Sequence, residues 1–259
     1  MAALLDWHPH FGRIGGRDLQ AWLAAYPGER PPEKSIMLAT EERTGSEYLC
    51  QLMGATGQLG RPSEYLNTYW MRRFIPDYPD AVGAQLAIAH RVGTTANRCF
   101  AMKMHPAHFD LLLTGGSITA AFPKPVFVRL YRRDLVAQAV SLYRARYSNR
   151  YHEYIAAERD IDFDGEAIRQ MLVELARARA RWQVYMARNA IDPLMVAYED
   201  LAIDPYPIMH EIGHRAGETI EPRDLALASP IRSQTDEMSA AWKQRFLEEY
   251  RDLDVFEAV

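Results

Sequence analysis

The sequence predicts an α/β protein of three layers, a central and mainly parallel sheet flanked by helices. Two patterns point there. Short apolar runs at 36–39, 98–104, 125–131 and 193–199 read as strands, closed by polar, Gly or Pro residues. Between and after them, apolar residues recur at helical spacing near 46–56, 84–92, 106–114, 134–147, 164–189, 206–217 and 237–250. Strands that alternate with helices pair in parallel and are covered on both faces. The 259 residues show no internal repeat and no low-complexity stretch, so one domain over 34–259 is the simplest organisation.

Residues 1–33 precede that domain as an N-terminal extension. Within them "GRDLQAWLAAYPG" (16–28) spaces Leu19, Trp22, Leu23 and Tyr26 as a helix would. "ERPPEK" (29–34) then breaks the chain before the first strand. Hydrophobic residues make up 48% and charged residues 25%, ordinary for a globular protein. A net charge of −4 argues against bulk attraction to nucleic acid or an anionic membrane. No apolar run approaches the roughly 20 residues of a spanning helix. "MAALLDWHPHFGRIGG" lacks the charged and apolar regions of a secretory leader. Cys50 and Cys99 lie in apolar segments and read as buried thiols of a reducing compartment, with a disulfide as the weaker alternative. Together these features predict a cytoplasmic protein.

Ligands of open parallel sheets sit beyond the carboxyl ends of the strands. The first strand, Ile36-Met37-Leu38-Ala39, runs into "TEERTGS" (40–46) and then a helix. A strand, a turn and a helix N-terminus present backbone N–H groups to an anion. Thr44, Gly45 and Ser46 open the helix: Gly45 lets the backbone come close, and Ser46 can hydrogen-bond an oxygen. Arg43 brings a forked charge. The loop is P-loop-like, yet the nucleotide-triphosphatase pattern needs a Gly-Lys pair, and the chain has none. A capped helix with an exposed arginine fits the same residues. The third strand ends in "RRDLVAQAVS" (132–141). Arg132 at the strand end and Ser141 along the following helix can clamp a second phosphate, away from the first loop. Lys103 stands near the end of the second strand, and "HPAH" (105–108) reads as loop and cap residues.

Taken in order, these motifs resemble the bacterial trehalose 2-sulfotransferase family of carbohydrate sulfotransferases, across about residues 34–250. The family's R-S-G-S after the first strand stands here as Arg43-Thr44-Gly45-Ser46, and its G-x-P-x-E-[FY] as Gly60-Arg61-Pro62-Ser63-Glu64-Tyr65. Its G-K-L-M-like strand end is "AMKM" (101–104). Its H-R-P-D and S-Q-A-V-S stand as Tyr131-Arg132-Arg133-Asp134 and "AQAVS" (137–141). Its R-Q-A-D with a later tryptophan is matched by "RSQTD" (232–236) and Trp242. The resemblance implies sulfuryl transfer from 3′-phosphoadenosine 5′-phosphosulfate (PAPS) to a sugar or glycolipid hydroxyl, without a metal, in a protein that can form a homodimer. It assigns the 5′-phosphosulfate to Arg43, Thr44, Gly45 and Ser46, and the 3′-phosphate to Arg132 and Ser141. Arg232 and Gln234 join the nucleotide site, and Glu64 and Lys103 are the catalytic pair. The chain departs from the pattern in one extra residue before Arg43, and in Glu47 where the family has Thr or Ser. Arg133 replaces a proline and Ala137 a serine. A carboxylate in a helix's first turn suits the dipole but repels a nearby phosphosulfate.

One motif points to another reaction class. "HEIGHRAG" (210–217) matches H-E-x-x-H, in which His210 and His214 would hold zinc with Glu211 as base of a hydrolase. The third histidine of one such pattern would fall at Ile220. A plain amphipathic helix explains the segment as well, with an apolar stripe at Ile208, Ile212 and Ala216 and a stop at Gly217.

Overall fold

The structure is a computed structural model that describes residues 7–8, 12–13, 18–26, 31–115, 122–151, 159–225 and 237–250. A short antiparallel pair, β1 (Trp7–His8) and β2 (Gly12–Arg13), precedes helix α1 (Leu19–Ala24). Then follow β3 (Lys34–Ala39), α2 (Ser46–Ala55), α3 (Thr68–Met71), α4 (Val82–Gly93), β4 (Cys99–Met104), α5 (Pro106–Gly115) and β5 (Pro125–Tyr131). The chain continues through α6 (Leu135–Ser148), α7 (Gly165–Arg188), β6 (Leu194–Ala197), α8 (Tyr198–Ile203), α9 (Pro205–Ala216) and α10 (Glu237–Tyr250).

The sheet order is β4-β3-β5-β6, and every pairing is parallel. Side chains alternate across a strand, and here each side meets its own helical layer. Met37, Ala39, Phe100, Met102 and Met104 pack on one face with Trp70, Phe109 and Trp182. Ile36, Leu38, Cys99 and Ala101 pack on the other with Leu49 and Met53 of α2 and Met209 and Ile212 of α9. The sheet is therefore covered on both faces, the three-layer, P-loop-like arrangement anticipated from the strand–helix alternation. Trp22 and Leu23 of α1 join the first of these cores. The Arg91 guanidinium, donating to the carbonyls of Leu23 and Tyr26 at 2.7 Å each, fastens them there. A third cluster fills the space between α6, α7 and α10, around Val140, Ile168, Leu175 and Phe246. Cys50 and Cys99 are buried and free.

The last strand is shorter than its apolar run. It stops at Ala197, and Tyr198 opens α8 instead of extending β6. Glu199 and Asp200 fall in the first turn of that helix, where carboxylates are favoured by its dipole. Glu199 also accepts the backbone N–H of Arg133 at 3.0 Å and of Asp134 at 3.3 Å, so α8 braces the turn after β5.

Candidate active site

The carboxyl ends of β3, β4 and β5 converge on the loop between β3 and α2. The chain there takes two left-handed residues, Arg43 at φ 62° and Gly45 at φ 75°. Gly45 is the N-cap of α2, and no side chain caps that helix. The N–H groups of its first turn face the loop, and that of Tyr48 bonds back to the Gly45 carbonyl at 3.1 Å. A Cβ at Gly45 would come 2.3 Å from the Tyr198 ring, so the tyrosine of α8 presses directly on this turn. Thr44, fully buried, is held by its hydroxyl to the Glu41 carbonyl at 3.0 Å and by a contact with the Thr40 hydroxyl. The Trp182 indole donates to the Thr40 carbonyl at 3.0 Å.

Glu41 of this loop is buried in a two-pronged pair with Arg129 of β5. Arg129 also donates to the carbonyls of Ala39 and Leu130, so every charge in the pair has hydrogen bonds. Removing one partner of such a pair is costly because the other stays buried and unmatched. The pair ties the loop to the sheet.

Arg43 and the second loop meet. Arg43 Nε donates to Ser141 Oγ at 3.0 Å, and its Nη1 to the carbonyl of Tyr151. Ser141, expected with Arg132 at a second phosphate, lies within hydrogen-bond reach of Arg43. Burial, with the nearby charge of Arg132, pushes Arg43 down to about 10 against the opposing pull of Glu42, which leaves it protonated at neutral pH. The Arg132 guanidinium lies 5.3 Å over the Tyr198 ring, and its Nε is buried with no hydrogen-bond partner among the described residues. Arg43, Arg132, Ser141 and the N-terminus of α2 thus surround one place. Arg232 and Gln234 lie outside the described residues.

The second half of the site is built by close contact. Gly60, at φ 72°, lies against β4 so tightly that a Cβ would be 2.5 Å from the backbone nitrogen of Ala101. That approach lets the Ser63 carbonyl accept the backbone N–H of Lys103 at 3.1 Å. It brings Glu64 over the strand end, where Glu64 Oε1 is 2.7 Å from Lys103 Nζ. Lys103 alternates onto the sheet face that α2 covers, so Glu47 of α2 reaches it too, at 3.7 Å. Burial alone would raise the Glu64 carboxyl, but Lys103 and His105 outweigh it and hold the group well below the usual carboxylate range. Burial likewise opposes charge on Lys103, and Glu64 and Glu47 more than offset it, raising its pKa.

Two partners of Glu64 were not legible as functional residues. His105, taken as a loop residue, lies 3.2 Å from Glu64 Oε1 through its Nε2. Burial pulls the imidazole down, but Glu64 prevails and raises its pKa. His108, one turn on, is pushed down to about 4 by burial. Asn67 donates to Glu64 Oε2 at 2.7 Å while its own side-chain oxygen caps α3. The only signal for these was their nearness to Lys103 and Glu64 in sequence.

The H-E-x-x-H segment is placed elsewhere. His210 and His214 are exposed on α9, and Glu211 pairs with Arg215 at 2.8 Å. Gly217, at φ 71°, ends that helix. Among the described residues no group of three His, Cys, Asp or Glu side chains is arranged to hold a metal, and no helix is long and apolar enough to cross a membrane. The geometry lends the hydrolase alternative no support.

Trehalose 2-sulfotransferase of Mycobacterium tuberculosis (strain ATCC 35801 / TMC 107 / Erdman) is 29% identical over 252 residues, an alignment covering 82% of this chain and 93% of that protein. Trehalose 2-sulfotransferase of Mycolicibacterium smegmatis (strain ATCC 700084 / mc(2)155) is 23% identical over 256 residues, covering 83% and 94%. Among solved structures, the sulfotransferase domain from the curacin biosynthetic pathway aligns with a TM-score of 0.48 at 16% identity, covering 89% of this chain and 94% of that one. Retinol dehydratase, in complex with androsterone and the inactive cofactor PAP, aligns with a TM-score of 0.43 at 13% identity, covering 92% and 85%. The family model described as Stf0 sulphotransferase matches residues 35–249, and the chain belongs to that sulfotransferase family.

Proposed function

We propose that this protein transfers a sulfuryl group from PAPS to the hydroxyl of a sugar such as trehalose, or of a glycolipid. The observation that carries the reading is the Glu64–Lys103 pair, 2.7 Å apart and linked through Glu47 to the first turn of α2. A base and a cation stand where a donor bound at that helix N-terminus would present its reacting group. The names of the two mycobacterial relatives supply the acceptor class.

The residues fit the donor. Arg43, Thr44, Gly45 and Ser46 frame the helix N-terminus for the 5′-phosphosulfate. Arg132, whose buried Nε has hydrogen-bonding capacity to spare, and Ser141 suit the 3′-phosphate, with Arg232 and Gln234 assigned to the same nucleotide by the resemblance. When bound, PAPS supplies an electrophilic sulfur and a phosphate leaving group. Glu64 takes the proton of the acceptor hydroxyl as the new sulfur–oxygen bond forms and the bond to the 5′-phosphate breaks. Lys103 balances charge on the departing oxygen. As Lys103 turns to that oxygen, Glu64 loses the partner that most lowers its pKa and becomes a better base. Asn67 and His105 keep the carboxylate aimed. The groove edged by Thr68, Tyr69 and Arg73 begins next to Asn67 and is the proposed acceptor wall.

Melting experiments test the donor site. The product nucleotide, 3′-phosphoadenosine 5′-phosphate, is expected to raise the melting temperature, since a ligand at 100 times its Kd stabilises by about 2.7 kcal/mol. Arg132→Ala should remove most of the shift, and adenosine 5′-phosphosulfate, which lacks the 3′-phosphate, should give less. Equal shifts from both nucleotides would show that Arg132 and Ser141 do not bind the 3′-phosphate.

A further inference from the structure

Glu47 is the second residue of α2, immediately after Ser46. Its side chain turns inward, 19% exposed, with Oε2 at 3.7 Å from Lys103 Nζ. Lys103 is therefore held between two carboxylates, Glu64 on the 60–65 stretch at 2.7 Å and Glu47 on α2. Among the described residues, the other titratable groups at this spot are Cys50, one turn along α2, and His105 and His108, which approach Glu64 from the start of α5. Carboxylates in a first turn stabilise the helix through its dipole, and carboxylates beside a buried lysine keep it charged. An anionic donor at the N-terminus of α2 would do both of these things from the same place.

We propose that Glu47 is an internal competitor for the sulfuryl donor. Its carboxylate engages Lys103 and the start of α2 until the phosphosulfate arrives, and the donor binds as Glu47 swings aside or takes up a proton. The inference rests on the reading of α2 as the donor site. An anion brought beside a carboxylate favours its protonated form, and the coupling is reciprocal. Where Glu47 takes up the proton, donor and product affinity fall as pH rises through the range in which it titrates. After transfer, the returning Glu47 reclaims Lys103 and helps the product nucleotide leave.

Titration calorimetry with 3′-phosphoadenosine 5′-phosphate on the full chain tests this, run in two buffers of different ionisation enthalpy so that proton uptake is read separately. The wild type and two variants, Glu47→Gln and Glu47→Ala, are compared after thermal melts confirm that each is folded. Both variants are expected to bind tighter, by about fivefold to 10³-fold, the span that one charge about 4 Å away gives between bulk water and an effective dielectric near 20. Proton uptake on binding should fall in the variants if Glu47 is protonated, and stay unchanged if it only swings aside. Equal or weaker binding by both variants overturns the proposal and leaves the donor site standing. A wild type that binds no nucleotide overturns the donor site itself, and this proposal with it.

Discussion

Glu64→Gln is expected to lower turnover by roughly 10²- to 10⁴-fold, the usual contribution of a general base, with nucleotide affinity close to wild type. Glutamine keeps the size of the side chain; its one oxygen can accept from Asn67 or from Lys103, which donate to different oxygens of Glu64, and the backbone bond from Lys103 N–H to the Ser63 carbonyl still holds the stretch on β4. What it lacks is a site for the acceptor's proton. The same substitution gives a reading that needs no acceptor. His105 owes its raised pKa to Glu64, while burial pulls the other way. Without the carboxylate, burial wins, and the His105 imidazole should titrate below its ordinary value when followed by NMR. The sign also sets the pH dependence of stability. A histidine whose pKa is raised by folding contributes stability that is complete at pH below its unfolded value, and this is lost as pH rises through the folded value. Glu64 behaves oppositely: its depressed pKa contributes stability above the ordinary carboxylate range, which is lost on strong acidification. Near-normal turnover in Glu64→Gln with an accepted sugar would remove Glu64 from the base's role, and an unmoved His105 titration would show that Glu64 does not set the charge of that imidazole.

The fold was legible because its signals are local. Met37 and Ala39 alternate with Ile36 and Leu38, and each strand run meets a helix of the right period on either face. The strand that was overextended, past Ala197, failed for a tertiary reason: Glu199 is recruited by the backbone of Arg133 and Asp134, a demand that no local pattern displays. The candidate site was half legible. Arg43, Gly45, Glu64 and Lys103 stand in recognisable motifs, and the fold brings Glu64 to Lys103. The links between motifs were hidden. Arg43 and Ser141 are 98 positions apart, and nothing in either motif says that one guanidinium touches both the second helix and the Tyr151 carbonyl. His105 escaped because a lone histidine after a strand is usually a surface residue, and its role depends on a glutamate 41 positions away. Glu41 is the plainest case. Its place in the loop gives no sign that its partner is Arg129, 88 positions away in the sheet.

The positioning of Glu64 can be tested at a glycine that touches no ligand. Gly57 and Gly60 both adopt left-handed backbone, at φ 64° and 72°, in the turn that leads from α2 to Glu64. An L-residue in that conformation costs about 1–2 kcal/mol. At Gly57 nothing lies within 4 Å of where a Cβ would stand, so Gly57→Ala should cost little more than that. At Gly60 the Cβ would fall 2.5 Å from the Ala101 nitrogen and 2.6 Å from its Cβ. Those atoms belong to the middle of β4, where the strand is fixed on one side by β3. Neither backbone can yield cheaply, and overpacking adds about 1–3 kcal/mol, for a total of about 2–5 kcal/mol. The consequence is more than instability. The chain must lift off β4 to admit the methyl group, and the bond from Lys103 N–H to the Ser63 carbonyl lies in the path of that movement. Glu64 then moves away from Lys103, and a shift of about 1 Å in such a pair can cost on the order of 10²-fold in rate. Denaturant unfolding of the two variants side by side should show Gly60→Ala much the less stable, and its turnover should fall while that of Gly57→Ala stays near wild type. Equal losses in the two would mean that left-handed strain alone matters here, and that the contact of Gly60 with β4 does not hold Glu64 in place.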